Sequence, residues 1–360
     1  MPDLERLTAR PARRTPSSPG SVALFLALLG IELATAAPAR ACDICSVYTA
    51  VELGRGRVGV RVGAAEQYSF FGTLKTGTDT VPNPGERMDS SISQVFVGYN
   101  FNPDIGVQLT LPIIYRSFRR FEEGELRSGT ESGIGDLSLI GQYVAFNTVG
   151  ERGLMRVTVF GGLKFPTGNP DRLKEEQEED HDHEVTTDDL FPPGFGRPSA
   201  LGRVSHSEGE SPSGIHGHDL ALGSGSVDGI VGGEIFGNFD RFFATMSVQY
   251  AIRTEGSFDY TYANDLTWIG GPGYYPYLDD NMTLGVQAVM TGETKGNDEF
   301  EGEKTGDTAI TALYVGPAIR FSWATSLAAE ITGDLPVYQN VTGLQIVPDY
   351  RIRGALIWRF

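Results

Sequence analysis

Apolar and polar residues alternate along most of this chain. In "VQLTLPIIYR", Val107, Leu109, Leu111, Ile113 and Tyr115 share one side, and Gln108, Thr110, Pro112, Ile114 and Arg116 the other. "MRVTVFGGLKF" sets Met155, Val157, Val159, Leu163 and Phe165 against Arg156, Thr158 and Lys164. "FATMSVQYAIR" sets Phe242, Met246, Val248, Tyr250 and Ile252 against Phe243, Thr245, Ser247, Gln249 and Arg253. "LAAEITGDLPV" sets Leu327, Ile331, Leu335 and Val337 against Glu330, Thr332 and Asp334. The chain closes on "YRIRGALIWRF", with Tyr350, Ile352, Leu356, Trp358 and Phe360 on one face and Arg351, Arg353 and Arg359 on the other. Successive side chains of a strand point to opposite faces, so this period of two predicts strands.

Twelve strands are predicted, near residues 57–71, 91–102, 105–118, 135–147, 154–165, 220–236, 241–254, 259–275, 281–294, 308–321, 326–338 and 347–360. The eighth is the least regular and reads as partly loop. Short connections (102–104, 148–153, 237–241, 278–281, 322–326) alternate with long ones (72–90, 119–134, 166–219, 295–307, 339–346). Short turns at one end and long loops at the other describe an antiparallel up-and-down transmembrane β-barrel. Twelve strands also bring both termini to the short-turn end.

A soluble sandwich alternates too, with its polar face in water. Two features favour the membrane barrel. At the start, Arg6, Arg10, Arg13 and Arg14 precede the apolar run "VALFLALLGI" and the small-residue ending "ARA" at 39–41. That order reads as a secretory signal peptide, and ten apolar residues are too few for a membrane helix. Lipidation at Cys42 is the alternative, with Ala39 where Leu is usual. At the other end, the alternating strand that finishes in Phe360 resembles the assembly signal of bacterial outer-membrane barrels. The expected organisation is a cleaved segment 1–41, a periplasmic segment 42–56, and one barrel domain 57–360 with a long external loop 166–219. The expected place is the bacterial outer membrane. Its lipid, its lipopolysaccharide and, through the Phe360 strand, the barrel assembly machinery are the expected partners, along with a small-molecule solute.

Composition sharpens this only slightly. Gly is plentiful at 46, and Tyr (14) with Phe (20) suit strands. The net charge of −17 excludes nucleic acid, which needs a basic surface.

Three motifs stand in order: "GIGDLSLIGQY" (133–143), "GLKFPTGNP" (162–170) and "LGSGSVDGIVGG" (222–233). Physically, Gly133 and Gly135 before Asp136 allow tight re-entry into a strand. Pro166 ends a strand because it has no N–H for the ladder, and Gly223 and Gly225 permit bends. Together the motifs resemble the bacterial barrel family named for a MetA pathway of phenol degradation, over roughly residues 90 to 360. The resemblance implies an outer-membrane, channel-like barrel for small solutes, hydrophobic or aromatic ones among them. The chain departs from that pattern in its "CDIC" and in its long acidic, His-rich loop.

That loop holds the first candidate site. All five histidines, His181, His183, His206, His216 and His218, fall within it. "HDHE" adds Asp180, Asp182 and Glu184, and "HGHD" repeats the H-x-H spacing. Imidazoles among carboxylates suit weakly bound zinc or copper. The alternative is a solvated, lipopolysaccharide-facing loop, the usual meaning of a charge run. Cys42 and Cys45 of "CDIC" are the only cysteines, and a local disulfide is expected, with a redox or metal-thiolate role as the alternative. Ser46 stands where haem attachment needs His.

The charged residues expected to line the lumen are Arg61, Arg116, Arg156, Lys164, Arg253, Arg351 and Arg353, with Asp228, Glu234, Glu293, Glu330 and Asp334. They either tune the selectivity of an open channel or lock into ion pairs that fill a narrow one. No enzyme is expected: a strand-borne Ser–His pair is missing, and only His206 or His218 at a rim with Ser224 or Ser226 offers one. Channel, metal-binding loop protein and closed structural barrel therefore remain the readings, in that order.

Overall fold

A computed structural model describes residues 58–122, 124–179, 213–324 and 326–360. The expected signal peptide 1–41, Cys42 and Cys45, and Asp180, His181, Asp182, His183, Glu184 and His206 lie outside the described residues. The first strands are β1 (Gly59–Gly77), β2 (Asp79–Val81), β3 (Arg87–Asn100), β4 (Ile105–Glu122), β5 (Glu125–Ile134), β6 (Leu137–Val149) and β7 (Gly153–Phe165). After the 166–227 region come β8 (Asp228–Phe239), β9 (Phe242–Ile252), β10 (Tyr260–Thr261), β11 (Asp265–Leu278), β12 (Met282–Lys295), β13 (Glu299–Phe300), β14 (Glu303–Lys304), β15 (Ile310–Trp323) and β16 (Leu327–Arg359).

The wall runs β1-β3-β4-β6-β7-β8-β9-β11-β12-β15-β16 and returns from β16 to β1. Every pairing is antiparallel, including β15 with β16 and β16 with β1. Eleven elements cannot close such a ring, because an odd number leaves one parallel neighbour. The last element resolves the parity. It is 33 residues long; Leu327 to Val341 pair with β15, and Leu344 to Arg359 pair with β1. Between them Gly343 takes φ +61, a left-handed turn that glycine adopts freely. The two halves lie side by side: the Arg359 N–H donates to the Ser326 carbonyl at 2.7 Å, and the Gln339 side chain to the Pro348 carbonyl at 2.8 Å. The barrel is therefore all-β, closed and antiparallel, with twelve staves.

Three expectations need correction. The regions 72–90 and 119–134 are mostly strand rather than loop. β1 and β4 run on past the wall, β2 folds onto β1, and β5 pairs with the end of β4. β5 reads "ELRSGTESGI" and is largely exposed; beyond the lipid a strand needs no apolar face, so no alternation marks it. The region 339–346 is a tight turn inside β16. β8 begins at Asp228, and residues 220–227 are not strand.

Burial is inverted relative to a soluble protein. Val97, Leu109, Ile113, Ile331, Leu335 and Leu356 are exposed, whereas Arg116 and Asp228 are fully buried. Water penalises such a surface; hydrocarbon favours it, provided every backbone group is paired, as a closed barrel ensures. At the short-turn end, Tyr99, Phe101, Phe239, Phe242, Trp323, Trp358 and Phe360 form an exposed aromatic girdle, the signature of a lipid–water interface.

Adjacent glycines give a test of the wall. A Cβ on Gly316 would stand far inside contact distance of the Gly333 carbonyl oxygen, whereas one on Gly333 meets nothing. Gly316→Ala is expected to lower the urea midpoint of the refolded barrel, by a loss of about 1–3 kcal/mol in unfolding free energy, and Gly333→Ala to leave it unchanged. Equal midpoints would refute this register.

Candidate functional site

Residues 213–227 do not leave the barrel. Ile215 and Leu220 pack among Phe71, Leu74, Met88 and Phe118, and Leu222 packs on Ile92 and Ile114. These partners face inward from β1, β3 and β4, so the segment crosses the loop end of the lumen. The expectation that 166–219 is wholly an external loop is corrected at both described ends, since Leu173, His216 and His218 are buried. Apolar side chains within this acidic stretch draw it in.

Polar contacts pin the segment at several points. Glu86 is buried on the lip between β2 and β3. Its carboxylate accepts from the Ser213 hydroxyl (2.6 Å), the Gly214 N–H (2.9 Å) and the Phe121 N–H (2.7 Å). The Arg116 guanidinium donates to the Ala221 carbonyl at 2.7 Å. The Tyr262 hydroxyl donates to the His218 carbonyl at 3.0 Å.

The three sequence motifs meet at one node. Asp136 of the first motif accepts from Lys164 Nζ (2.9 Å), from Gly168 N–H (3.0 Å) of the second, and from the Ser224 N–H and hydroxyl (3.0 and 2.9 Å) of the third. The backbones come close enough that a Cβ on Gly168 would fall 2.4 Å from the Leu222 carbonyl oxygen. From this node a chain of alternating charges crosses successive staves. Lys164 reaches Asp228 at 2.8 Å, Arg253 reaches Asp228 at 2.9 Å, and Arg253 reaches Asp265 at 2.5 Å. Ser226 donates to Asp228 at 2.7 Å and ties the segment to this chain.

A second set of pairs lines the opposite staves. Arg351 contacts Glu293 at 2.5 Å and lies over the Tyr314 ring, 3.9 Å from its centroid. Arg353 contacts Asp334 at 2.5 Å and donates to Thr291 at 2.9 Å. Nearer the short turns Glu330 meets Arg320 at 2.8 Å, and Arg61 donates to Gln142 at 3.2 Å. Arg156 and Glu234 share the inner face by the alternation of β7 and β8. All twelve lumen candidates thus lie on the inner face. Sequence reasoning missed Glu86, Asp136 and Asp265, which sit at or beyond strand ends, where alternation carries no signal.

A cavity of about 550 Å³, counting its open mouth, lies beneath the segment. Ile92, Pro112, Ile114 and Leu222 give it an apolar side; Arg116, Lys164 and Arg253, with Asp136, give it a charged one. Most of that volume is open mouth; the enclosed part is about 60 Å³, so a solute would meet the mixed lining from the open side.

On the other side of the segment sit the two described histidines. The His216 and His218 rings stack with centroids 5.3 Å apart. His218 Nδ1 lies 3.0 Å from Glu176, and its Nε2 lies 3.4 Å from Asp219. Burial opposes charge on His218, but Asp219 and Glu176 outweigh it, against a smaller opposing effect of Lys295, and its pKa is pushed up to about 10. At neutral pH this ring is an imidazolium held by two carboxylates. Behind it Tyr260 donates to Asp298 at 2.5 Å, and Lys295 meets Asp298 at 2.6 Å. The hydroxyls of Ser224 and Ser226 are directed to Asp136 and Asp228, not to His218.

No family model matches this chain, and no curated protein does. Its fold is similar to that of the COG4313 outer membrane channel from Pseudomonas putida F1, with 12% identity, a TM-score of 0.57, and coverage of 86% of this chain and 98% of that one. Weaker likenesses include a monoaromatic hydrocarbon channel, CymD (9% identity, TM-score 0.35, 84% and 89% covered), and a Pseudomonas aeruginosa FadL homologue (10%, 0.32, 84% and 90%). The chain folds as a closed antiparallel β-barrel of the outer-membrane type.

Asp228 is fully buried between two cations, whereas Glu330 and Arg320 keep side-chain exposures of 21% and 31%. Asp228→Asn is expected to cost about 3–5 kcal/mol in urea unfolding of the refolded barrel, and Glu330→Gln about 1 kcal/mol or less. Similar losses for both would contradict the assigned environments.

Proposed function

We propose that this protein is an outer-membrane channel that passes small solutes carrying a hydrophobic or aromatic body. The cavity beneath the inward segment carries the reading. A solute laid against Ile92, Ile114 and Leu222 would present its polar end to the Arg116 guanidinium. Charged side chains desolvated and held in pairs are costly to disturb, so the staves form a rigid conduit rather than a flexible one. The segment 213–227 is the removable part: apart from the helical turn Gly217–Leu220 it is loop, and it obstructs the end that faces outward in outer-membrane barrels. The exposed apolar belt and the aromatic girdle support residence in that membrane. The substrate class follows from the cavity's chemistry and from the family resemblance, in which aromatic compounds recur.

Two measurements test this. In planar bilayers the full barrel is expected to show small, discrete conductance steps. Replacing residues 214–226 by a short Gly-Ser linker is expected to raise the step size several-fold. In proteoliposomes, an aromatic carboxylate such as benzoate is expected to enter faster than a sugar of similar size. A barrel that stays silent in both forms would be a structural wall protein, and the channel reading would fall.

A further inference from the structure

We propose that His216, His218 and Asp219 form a binding site for a divalent transition-metal ion of the zinc class, enclosed in the mouth of the barrel. The proposal goes beyond the channel reading and stands whether or not the lumen conducts.

The three side chains converge. Their nearest ligand atoms lie within 4.8 Å of one another. His218 Nε2 is 3.4 Å from one carboxylate oxygen of Asp219, and His216 Nδ1 is 3.9 Å from the other. Around a tetrahedral zinc ion, with bonds of about 2.0–2.2 Å, ligand atoms stand roughly 3.4 Å apart. Shifts of about 1 Å in these side chains would close the set and leave a fourth position for water.

The surroundings are the stronger argument. Each imidazole has one nitrogen toward Asp219 and the other toward a carboxylate of its own. His218 Nδ1 faces Glu176 at 3.0 Å, and His216 Nε2 faces Asp307 at 3.6 Å. A carboxylate behind each histidine is the arrangement that orients imidazoles toward a metal and raises their basicity. Glu176, Asp219 and Asp307 thus place three carboxylates around the two imidazoles. Neutral imidazole with one carboxylate suits zinc, copper or nickel better than calcium or magnesium, which prefer oxygen.

The approach lies past Asp219 and Asp307, whose side chains keep 15% and 13% exposure while the rings keep 1–2%. The ligands stand on the inward segment; Glu176 comes from the helix Lys174–Glu179 and Asp307 from the loop before β15. A bound ion would tie these three elements together and hold the segment in the mouth.

The test uses the full-length barrel in detergent, stripped with a chelator, with His181, His183 and His206 changed to Ala so that only the buried pair remains. Zinc is titrated against a chromophoric chelator, and cobalt is followed by its visible absorption. One zinc per barrel at micromolar affinity or tighter is expected, with tetrahedral cobalt bands. Asp219→Asn is expected to weaken zinc at least tenfold, and Asp307→Asn by roughly 10–100-fold, the usual effect of an outer-shell partner. Heat-modifiable migration on gels confirms that each variant is folded. Should His216→Ala or His218→Ala fail to fold, the two aspartate variants decide. No zinc bound by the triple variant, or equal zinc affinity with Asp219→Asn, would overturn the site.

Discussion

Hydrocarbon offers no hydrogen bonds, and that constraint shapes this molecule. Every backbone N–H and C=O at membrane depth must find a partner in the protein, so a sheet there must close. The antiparallel ring closes only with an even number of staves. The long final element meets this requirement by turning back at Gly343 and presenting one edge to β15 and the other to β1. Outward, the same solvent demands apolar side chains, and Leu109, Ile331 and Leu356 supply them. Polar residues are thereby driven inward, into a space too narrow to hydrate all of them. They satisfy one another across neighbouring staves, and the chain from Asp136 to Asp265 is the clearest result.

The ion pairs and the inward segment are one structure rather than two. Asp136 accepts from the Ser224 backbone and hydroxyl as well as from Lys164. The charge node that stabilises the wall is also the clamp on the segment. On the far side Glu86 serves the same purpose, with the Ser213 hydroxyl and two backbone N–H groups as donors. The cavity below owes its mixed lining to this: its apolar side comes partly from Leu222, and its cations are held by the node.

Much of this was legible in the sequence. The period-two alternation located nearly every wall strand, because lipid outside and polar lumen inside write opposite demands on successive residues. It failed where lipid ends. β5 is polar on both faces, and nothing in its sequence separates it from loop. The twelve charged lumen candidates came from the same alternation, but their partners did not. Asp265 contacts Arg253 from another strand, and Glu86 binds residues more than a hundred positions away, so no local pattern joins them. The motifs around Asp136, Lys164 and Ser224 were visible as turn-forming glycines, while their convergence was not. One missed signal was present. Ile215, Leu220 and Leu222 are apolar residues in an acidic loop, and their burial explains why His216 and His218 face inward rather than outward.

The clasped segment also bears on how the ring stays closed. It is gripped by β3 and β4 from one direction and by β6 to β9 from another, and it reaches the seam as well: Ile215 and Leu220 pack with Leu74 of β1 and Ile346 of β16, and the Ile346 N–H donates to the Gly214 carbonyl at 2.8 Å. The two edges that meet at the seam thus share one internal brace. A plug in the mouth is, in this barrel, also a rivet across the joint.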